Sequence, residues 1–281
     1  MSRPPTKCRL DRLLVDRGLA SSLEKARALI YAGAVTVDQR PAVKPGKAVD
    51  PSGSLVVKQP EHPYVSRGGV KLAHALDHFG ISVRGKTALD IGASTGGFTH
   101  CLLLRGVERV QAVDVGYGQL AWSLRQDPRV RVLERVNARY LTGEQIGGPL
   151  DMAVIDASFI SLKLIIPPLL PILKPRGEIL ALVKPQFEVG RGKVGKGGVV
   201  RQEKDRLEAV QSLALYFEGL DLEVSEPTAS PILGAKGNQE FFLYMRKKVG
   251  SSQAWSESEG NPSIGKAEGR PPVPKEEFQK E

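Results

Sequence analysis

With 281 residues, 41% of them apolar, the chain is long enough for one large domain and one small one, each around its own core. Two cysteines, Cys8 and Cys101, exclude a disulfide framework, and the apolar run at 159–173, interrupted by Lys163, Pro167, Pro168 and Pro171, excludes a membrane span. The formal net charge of +9 points to a polyanionic partner, because Lys and Arg contacts to phosphates gain from counterion release. The charged N-terminus carries no apolar segment of the kind a signal peptide needs, so a reducing cytoplasm is the expected compartment.

Residues 9–18 put Leu10, Leu13 and Leu14 on one helical face and close at Gly18. Ser21-Ser22-Leu23-Glu24 has the pattern of a capping box, which opens a second helix with Ala26, Leu29 and Ile30 inward, Lys25 and Arg27 outward, and Gly33 at its end. The period then changes to two: Val35 and Val37 mark a strand, and 55–57 mark another after the turn Asp50-Pro51-Ser52-Gly53. Two basic helices feeding a small sheet resemble the RNA-binding domain named after the fourth protein of the small ribosomal subunit. The resemblance rests on Arg9-Leu10-Asp11, 22–27, Gly33-Ala34-Val35-Thr36-Val37 and Lys44-Pro45. It implies an α+β domain over 8–58 that docks on structured RNA through Arg9, Arg12, Lys25 and Arg27. The hairpin departs from that family's usual Asn-Gly or Asp-Gly and has Asp38-Gln39-Arg40 instead.

Gln59-Pro60-Glu61-His62-Pro63 reads as the core of a linker over 59–65, since prolines resist both helix and central strand. A helix is expected over 70–79, with Leu72, Ala75, Leu76 and Phe79 at helical spacing. Lys71 lies in its first turn, where a cation opposes the helix dipole and is an unfavourable decoration. Residues 87–91 then form a short buried strand that runs into Gly92-Ala93-Ser94-Thr95-Gly96-Gly97 and a helix to 104.

A strand, a glycine turn and a helix N-terminus point to a nucleotide-like ligand. Ser94 stands where the dinucleotide fingerprint needs its second glycine, so a pyrophosphate is excluded. Asp90, unwelcome beside a pyrophosphate, suits an amine or a sulfonium. D-x-G-x-x-x-G-G resembles motif I of the class I S-adenosylmethionine (SAM) methyltransferases, which implies a cofactor site at Asp90, Gly92, Ser94, Gly96 and Gly97. Strand 110–114 ends in Asp114, about 20 positions past the turn, where a carboxylate accepts ribose hydroxyls. A helix over 119–125 and a strand over 129–133 follow, and Asn137 and Ala138 fall where such folds line the adenine.

The next strand ends in Asp156 at the carboxyl edge of the sheet, where open parallel sheets bind ligands. A proline-broken Leu/Ile helix leads to strand 178–183 and then Lys184. Residues 190–198, rich in Gly and Lys, read as a mobile basic loop that offers Arg191, Lys193 and Lys196 to RNA alongside Arg67. After a helix over 203–217, strands 222–224 and 240–245 join without a crossover helix, as in methyltransferases. From Val249 onward the composition predicts disorder, giving a tail at 248–281.

Lys71, Asp156, Lys184 and Glu240 all fall on element ends expected at one sheet edge. They resemble the K-D-K-E tetrad of FtsJ-type ribose 2′-O-methyltransferases, together with Ser66-Arg67-Gly68-Gly69-Val70-Lys71-Leu72, Asp156-Ala157-Ser158-Phe159, Lys184-Pro185-Gln186-Phe187-Glu188 and Asn238-Gln239-Glu240-Phe241. With the small domain in front, residues 8–247 resemble the TlyA family of rRNA 2′-O-methyltransferases. The resemblance implies a Rossmann-like α/β methyltransferase domain over 66–247, SAM as cofactor, no metal, no membrane, and rRNA or ribosomal subunits as partner, with a cytidine as target. It also implies Lys184 as base with Lys71 as a second cation nearby, Asp156 orienting the amine and Glu240 positioning the pair. The alternatives are a non-catalytic RNA-binding or ribosome-assembly factor, a membrane-active haemolysin and a pseudouridine synthase. The last has no use for a SAM site.

Overall fold

In the computed structural model the chain is described over residues 7–31, 33–42, 44–57 and 62–248. The expected tail, apart from Lys248, and linker residues 59–61 lie outside these. Helices α1 (Leu10–Asp16) and α2 (Leu23–Tyr31) pack on a three-stranded antiparallel sheet of β1 (Val35–Val37), β2 (Arg40–Pro41) and β3 (Leu55–Val57), in the order β2-β1-β3. Leu10, Leu14, Ala26, Ile30 and Val35 fill a core drawn entirely from this N-terminal segment. The β1–β2 turn keeps tight geometry without glycine: Asp38 and Gln39 both take positive φ, 48° and 63°, and Asp38 Oδ1 accepts the Ser54 N–H at 2.9 Å. Asp tolerates the left-handed region because its short carboxylate hydrogen-bonds locally.

Asp11, 1% exposed, is the one buried charge of this core. Arg9 donates Nε and Nη2 to it at 3.0 and 2.7 Å, and Arg27 donates Nε at 3.2 Å. The Arg9 hydrogen bonds, helped by Arg27 and opposed by burial, pull the carboxyl from 3.8 down to about 2. A depressed carboxylate stabilises the fold above its unfolded value and loses that contribution as pH falls through its folded one. Methyl NMR signals of Leu10, Leu14 and Ile30 are therefore expected to lose native dispersion between about pH 4 and pH 2. Asp11→Asn should remove that titration; an unchanged acid midpoint in the variant counts against the assignment.

The larger segment begins with α3 (Gly68–His78), β4 (Thr87–Ile91), α4 (Gly97–Leu104) and β5 (Arg109–Asp114), and continues through β6 (Val130–Glu134), β7 (Leu150–Ile155), β8 (Leu173–Val183), α5 (Glu203–Glu218), β9 (Leu222–Val224) and β10 (Phe241–Lys247). The strands form one mixed sheet in the order β9-β10-β8-β7-β4-β5-β6, with the short strand Thr228–Ala229 also paired to β10. Strands β8, β7, β4, β5 and β6 run parallel, while β10 is antiparallel to both β8 and β9. The central strands are apolar on both faces because helices cover both. Leu72, Leu76 and Leu102 of α3 and α4 pack with Met152 and Leu180 on one face; Val210, Leu213 and Phe217 of α5 pack with Ile155 and Ile179 on the other.

Two expected elements differ. The helix over 119–125 shrinks to Trp122–Arg125 because Ala121 N–H bonds Thr95 O at 3.2 Å and Gln119 Oε1 accepts the Ser94 hydroxyl at 3.3 Å, drawing 119–121 to the glycine turn. Strand β8 starts at Leu173, earlier than the 178 expected, because Leu173 already pairs with Leu150 ahead of a bulge at 174–177.

Candidate active site

Strand β4 ends at the glycine turn, and the Asp156 N–H bonds Ile91 O at 2.8 Å, so the ends of β4 and β7 meet. Gly92 takes φ 80°, and a Cβ there would lie 2.6 Å from the Asp156 carbonyl oxygen. Only glycine lets the turn pass this close. Gly97 opens α4 against the start of α3, where a Cβ would lie 2.3 Å from Ser66 Oγ and 2.9 Å from Gly69 N. The two helix N-termini thus flank an open pocket of about 300 Å³, lined by Ser66, Arg67, Lys71, Ser94, Asp156 and Leu233 among others.

The four tetrad residues come together as two ion pairs. Lys71 Nζ lies 2.5 Å from Glu240 Oε2, with 11% and 3% of these side chains exposed. Lys184 Nζ lies 2.6 Å from Asp156 Oδ1 and donates to Ser158 Oγ at 2.7 Å. Lys71 and Asp156 line the pocket, and Lys184 reaches it through Asp156. Each ammonium has its own carboxylate, Lys71 with Glu240 and Lys184 with Asp156, as buried cations require, since leaving them unpaired would carry a heavy desolvation cost.

The expected cofactor residues divide. Gly92, Ser94 and Gly97 line the pocket, whereas Gly96, Asp90, Asp114, Asn137 and Ala138 do not. Gly96, at φ 95°, is the residue before α4. Asp90 is fully buried beneath the turn, its Oδ2 taking the Thr99 hydroxyl at 2.6 Å and its Oδ1 without a partner. Burial, opposed by that hydroxyl, raises its pKa to about 7. Asp114 anchors the turn from the next strand: Oδ2 accepts the Ser94 N–H at 2.8 Å and Oδ1 the Gly116 N–H at 2.7 Å. Asn137 accepts the Arg139 N–H at 3.0 Å as cap of a short 3-10 turn, and Ala138 is buried in the core.

Among the basic candidates, Arg12 and Lys25 are exposed, while Arg9 and Arg27 share Asp11. Arg67 lines the pocket and donates to Leu233 O at 2.8 Å. The basic loop expected to be mobile makes local contacts. Residues Arg191–Lys193 form a 3-10 turn, Gly195 bridges Val199, and buried Asn238 accepts the Val200 N–H at 3.1 Å and donates to Gly198 O at 2.9 Å. Lys193 is bound 2.8 Å from Asp205 and 2.7 Å from Glu208, which hold its ammonium above the ordinary lysine range; its charge is thus satisfied by α5. Lys196 remains exposed.

Four contributors are not evident from the sequence. Ser66 and the Leu233-Gly234 stretch wall the pocket, and Ser158 holds Lys184. Phe159, three residues past Asp156, is 90% exposed at φ 63° with its ring 5.0 Å from that of Phe187. A non-glycine residue in this region is uncommon, and Phe159 presents its ring to solvent beside Asp156.

Comparison with known proteins identifies the family of the chain. Residues 64–247 match the FtsJ-like methyltransferase family, and residues 8–55 match the S4 domain. The chain is 52% identical over 244 residues to the 16S/23S rRNA (cytidine-2′-O)-methyltransferase TlyA of Mycobacterium tuberculosis, covering 86% of this chain and 91% of that protein. It is 38% identical to hemolysin A of Brachyspira hyodysenteriae, covering 84% and 98% of the two chains. A solved structure from Streptococcus thermophilus, described as a hemolysin, is 41% identical with a TM-score of 0.68, over 86% of this chain and 89% of that one.

Proposed function

Because this chain belongs to the FtsJ-like methyltransferases, and within them to the TlyA family of rRNA 2′-O-methyltransferases, we infer that it methylates the ribose 2′-hydroxyl of a cytidine in ribosomal RNA, in the cytoplasm, with SAM as methyl donor. The observation that carries this reading is the pair of lysine–carboxylate contacts beside the glycine-walled pocket. The residues fit a methionine-type ligand: Gly92 and Gly97 let the turn approach the end of β7 and the start of α3 closely, Ser66 and Lys71 line the same pocket, and Asp90 keeps an unpartnered carboxylate oxygen beneath the turn. Asp114, by fixing Ser94, extends that cradle toward a nucleoside. Bound there, SAM supplies a methyl group already activated by its sulfonium.

What remains for the protein is to prepare the nucleophile. A ribose hydroxyl attacks poorly until its proton leaves. In its unprotonated form Lys184 Nζ, oriented by Asp156 and Ser158, takes that proton as the oxygen–methyl bond forms. Lys71, held by Glu240, stabilises the negative charge that develops on the oxygen. The N-terminal domain supports docking on folded RNA or an assembled ribosomal subunit through exposed Arg12 and Lys25.

A base-paired nucleotide must leave its stack to reach such a site, and Phe159 offers a face for an unstacked base. Phe159→Ala is therefore expected to lower kcat/KM for RNA by about 10-fold, as loss of one base–aromatic contact does, with SAM affinity unchanged. Filter binding of RNA and calorimetry with SAM separate the two; equal losses in both would refute the stacking role.

Among the described residues no helix is long and apolar enough to cross a membrane. Membrane lysis makes no use of the paired lysines or the pocket, although a relative carries the name hemolysin A. The deciding experiment incubates the protein with methyl-labelled SAM and rRNA, naked or in subunits, and hydrolyses the product in alkali. A ribose methyl blocks cleavage at its own linkage, so label in alkali-resistant dinucleotides supports the reading. Label in mononucleotides, or none, overturns it.

A further inference from the structure

The segment that enters the larger domain is fastened to the helix of the glycine turn at one point. The Val65 N–H donates to His100 Nδ1 at 3.1 Å. An Nδ1 that accepts belongs to a neutral imidazole with its proton on Nε2, and burial, which lowers the His100 pKa, favours that form. Around this bond the packing is tight. The Tyr64 ring meets His100 edge-on, 6.2 Å between centroids, and lies so close over Gly69 that a Cβ there would fall 2.2 Å from Tyr64 Cγ.

Val65 is followed directly by Ser66, Arg67 and Gly68, three residues of the pocket wall, and His100 lies one turn into α4, with its backbone N–H on Gly96 O at 2.8 Å. The bond therefore ties one wall of the pocket to the turn that forms the other. His100 itself does not line the pocket.

We propose that His100 is a positioning residue for the cofactor: by holding Val65 it sets the Ser66–Gly68 wall at the spacing from the glycine turn that a methionine-type ligand needs. This rests on the reading of the pocket as a SAM site. Without the acceptor, the Val65 amide loses its partner and the wall is free to shift away from Gly97.

The test is calorimetric titration of SAM into full-length wild type, His100→Ala, His100→Leu and His100→Asn, with thermal midpoints and RNA turnover measured alongside. Alanine and leucine remove the acceptor, and leucine keeps the bulk in case alanine fails to fold. Asparagine restores an oxygen near the position of Nδ1. The expected result is about a tenfold loss of SAM affinity in the alanine and leucine variants, recovery to within about threefold in asparagine, and kcat at saturating SAM unchanged in all. A histidine that only stabilises the fold would move the thermal midpoints and leave SAM affinity alone; that outcome, or an asparagine variant as weak as leucine, overturns the proposal. Wild type that fails to bind SAM overturns the cofactor reading, and this proposal with it.

Discussion

Lys184→Ala is expected to slow methyl transfer by a factor of about 10²–10⁴, the usual worth of a positioned general base, while SAM affinity stays within about twofold. The split follows from the geometry. Lys184 does not line the pocket, and its amine is bound to Asp156 and Ser158. Removing it leaves Asp156, whose side chain is 23% exposed, open to water, so the fold survives. Lys184→Arg is the sharper variant. A guanidinium restores the ion pair but cannot take a proton at any working pH. Single-turnover assays should find the arginine variant as slow as alanine. Arginine at near wild-type rate would mean that the residue contributes charge alone, and the base assignment would fall.

Gly92→Ala is expected to cost about 2–4 kcal/mol of stability and to weaken SAM binding by about 100-fold or more. Two effects add. At φ 80° an L side chain is strained, and its Cβ would sit 2.6 Å from the carbonyl oxygen and 2.9 Å from the carbonyl carbon of Asp156. Those atoms are backbone and cannot rotate away. The β4 and β7 ends must part, carrying Asp156 from Lys184 and the turn from Asp114. Denaturant unfolding and SAM titration measure both losses; a variant that binds SAM as wild type does would show that the close approach is not required.

Much of this site is legible in the residues themselves, for a physical reason. In a parallel sheet the strands are near-continuous apolar runs, so the polar residue that ends each run, such as Asp114, Asp156 or Lys184, lies at the carboxyl edge where a ligand can be met. Glu240 falls at the same edge because β10 runs antiparallel to β8, so that its start, just after Glu240, pairs with the end of β8; its role is legible only by resemblance. What could not be read depends on contacts between distant segments. Lys193 looks like any loop lysine until α5 brings Asp205 and Glu208 beside it. The helix expected from 119 yields to the pull of Thr95 and Ser94, and Phe159 gives no sign of its left-handed backbone. The Asp38-Gln39 turn shows the converse, with the expected hairpin formed by residues that lack the usual glycine.

The Lys71–Glu240 pair joins residues 169 positions apart, and β10, which follows Glu240, is the last strand made among the described residues although it lies between β8 and β9. Synthesis at about 5–20 residues per second leaves an interval of roughly 7–29 s between completion of the glycine turn and arrival of Glu240. Of the four ionisable residues of the tetrad only Lys71 has been made when the glycine turn is complete; Asp156, Lys184 and Glu240 follow in that order. The Lys71–Glu240 pair therefore forms only once β10 has entered the sheet between β8 and β9.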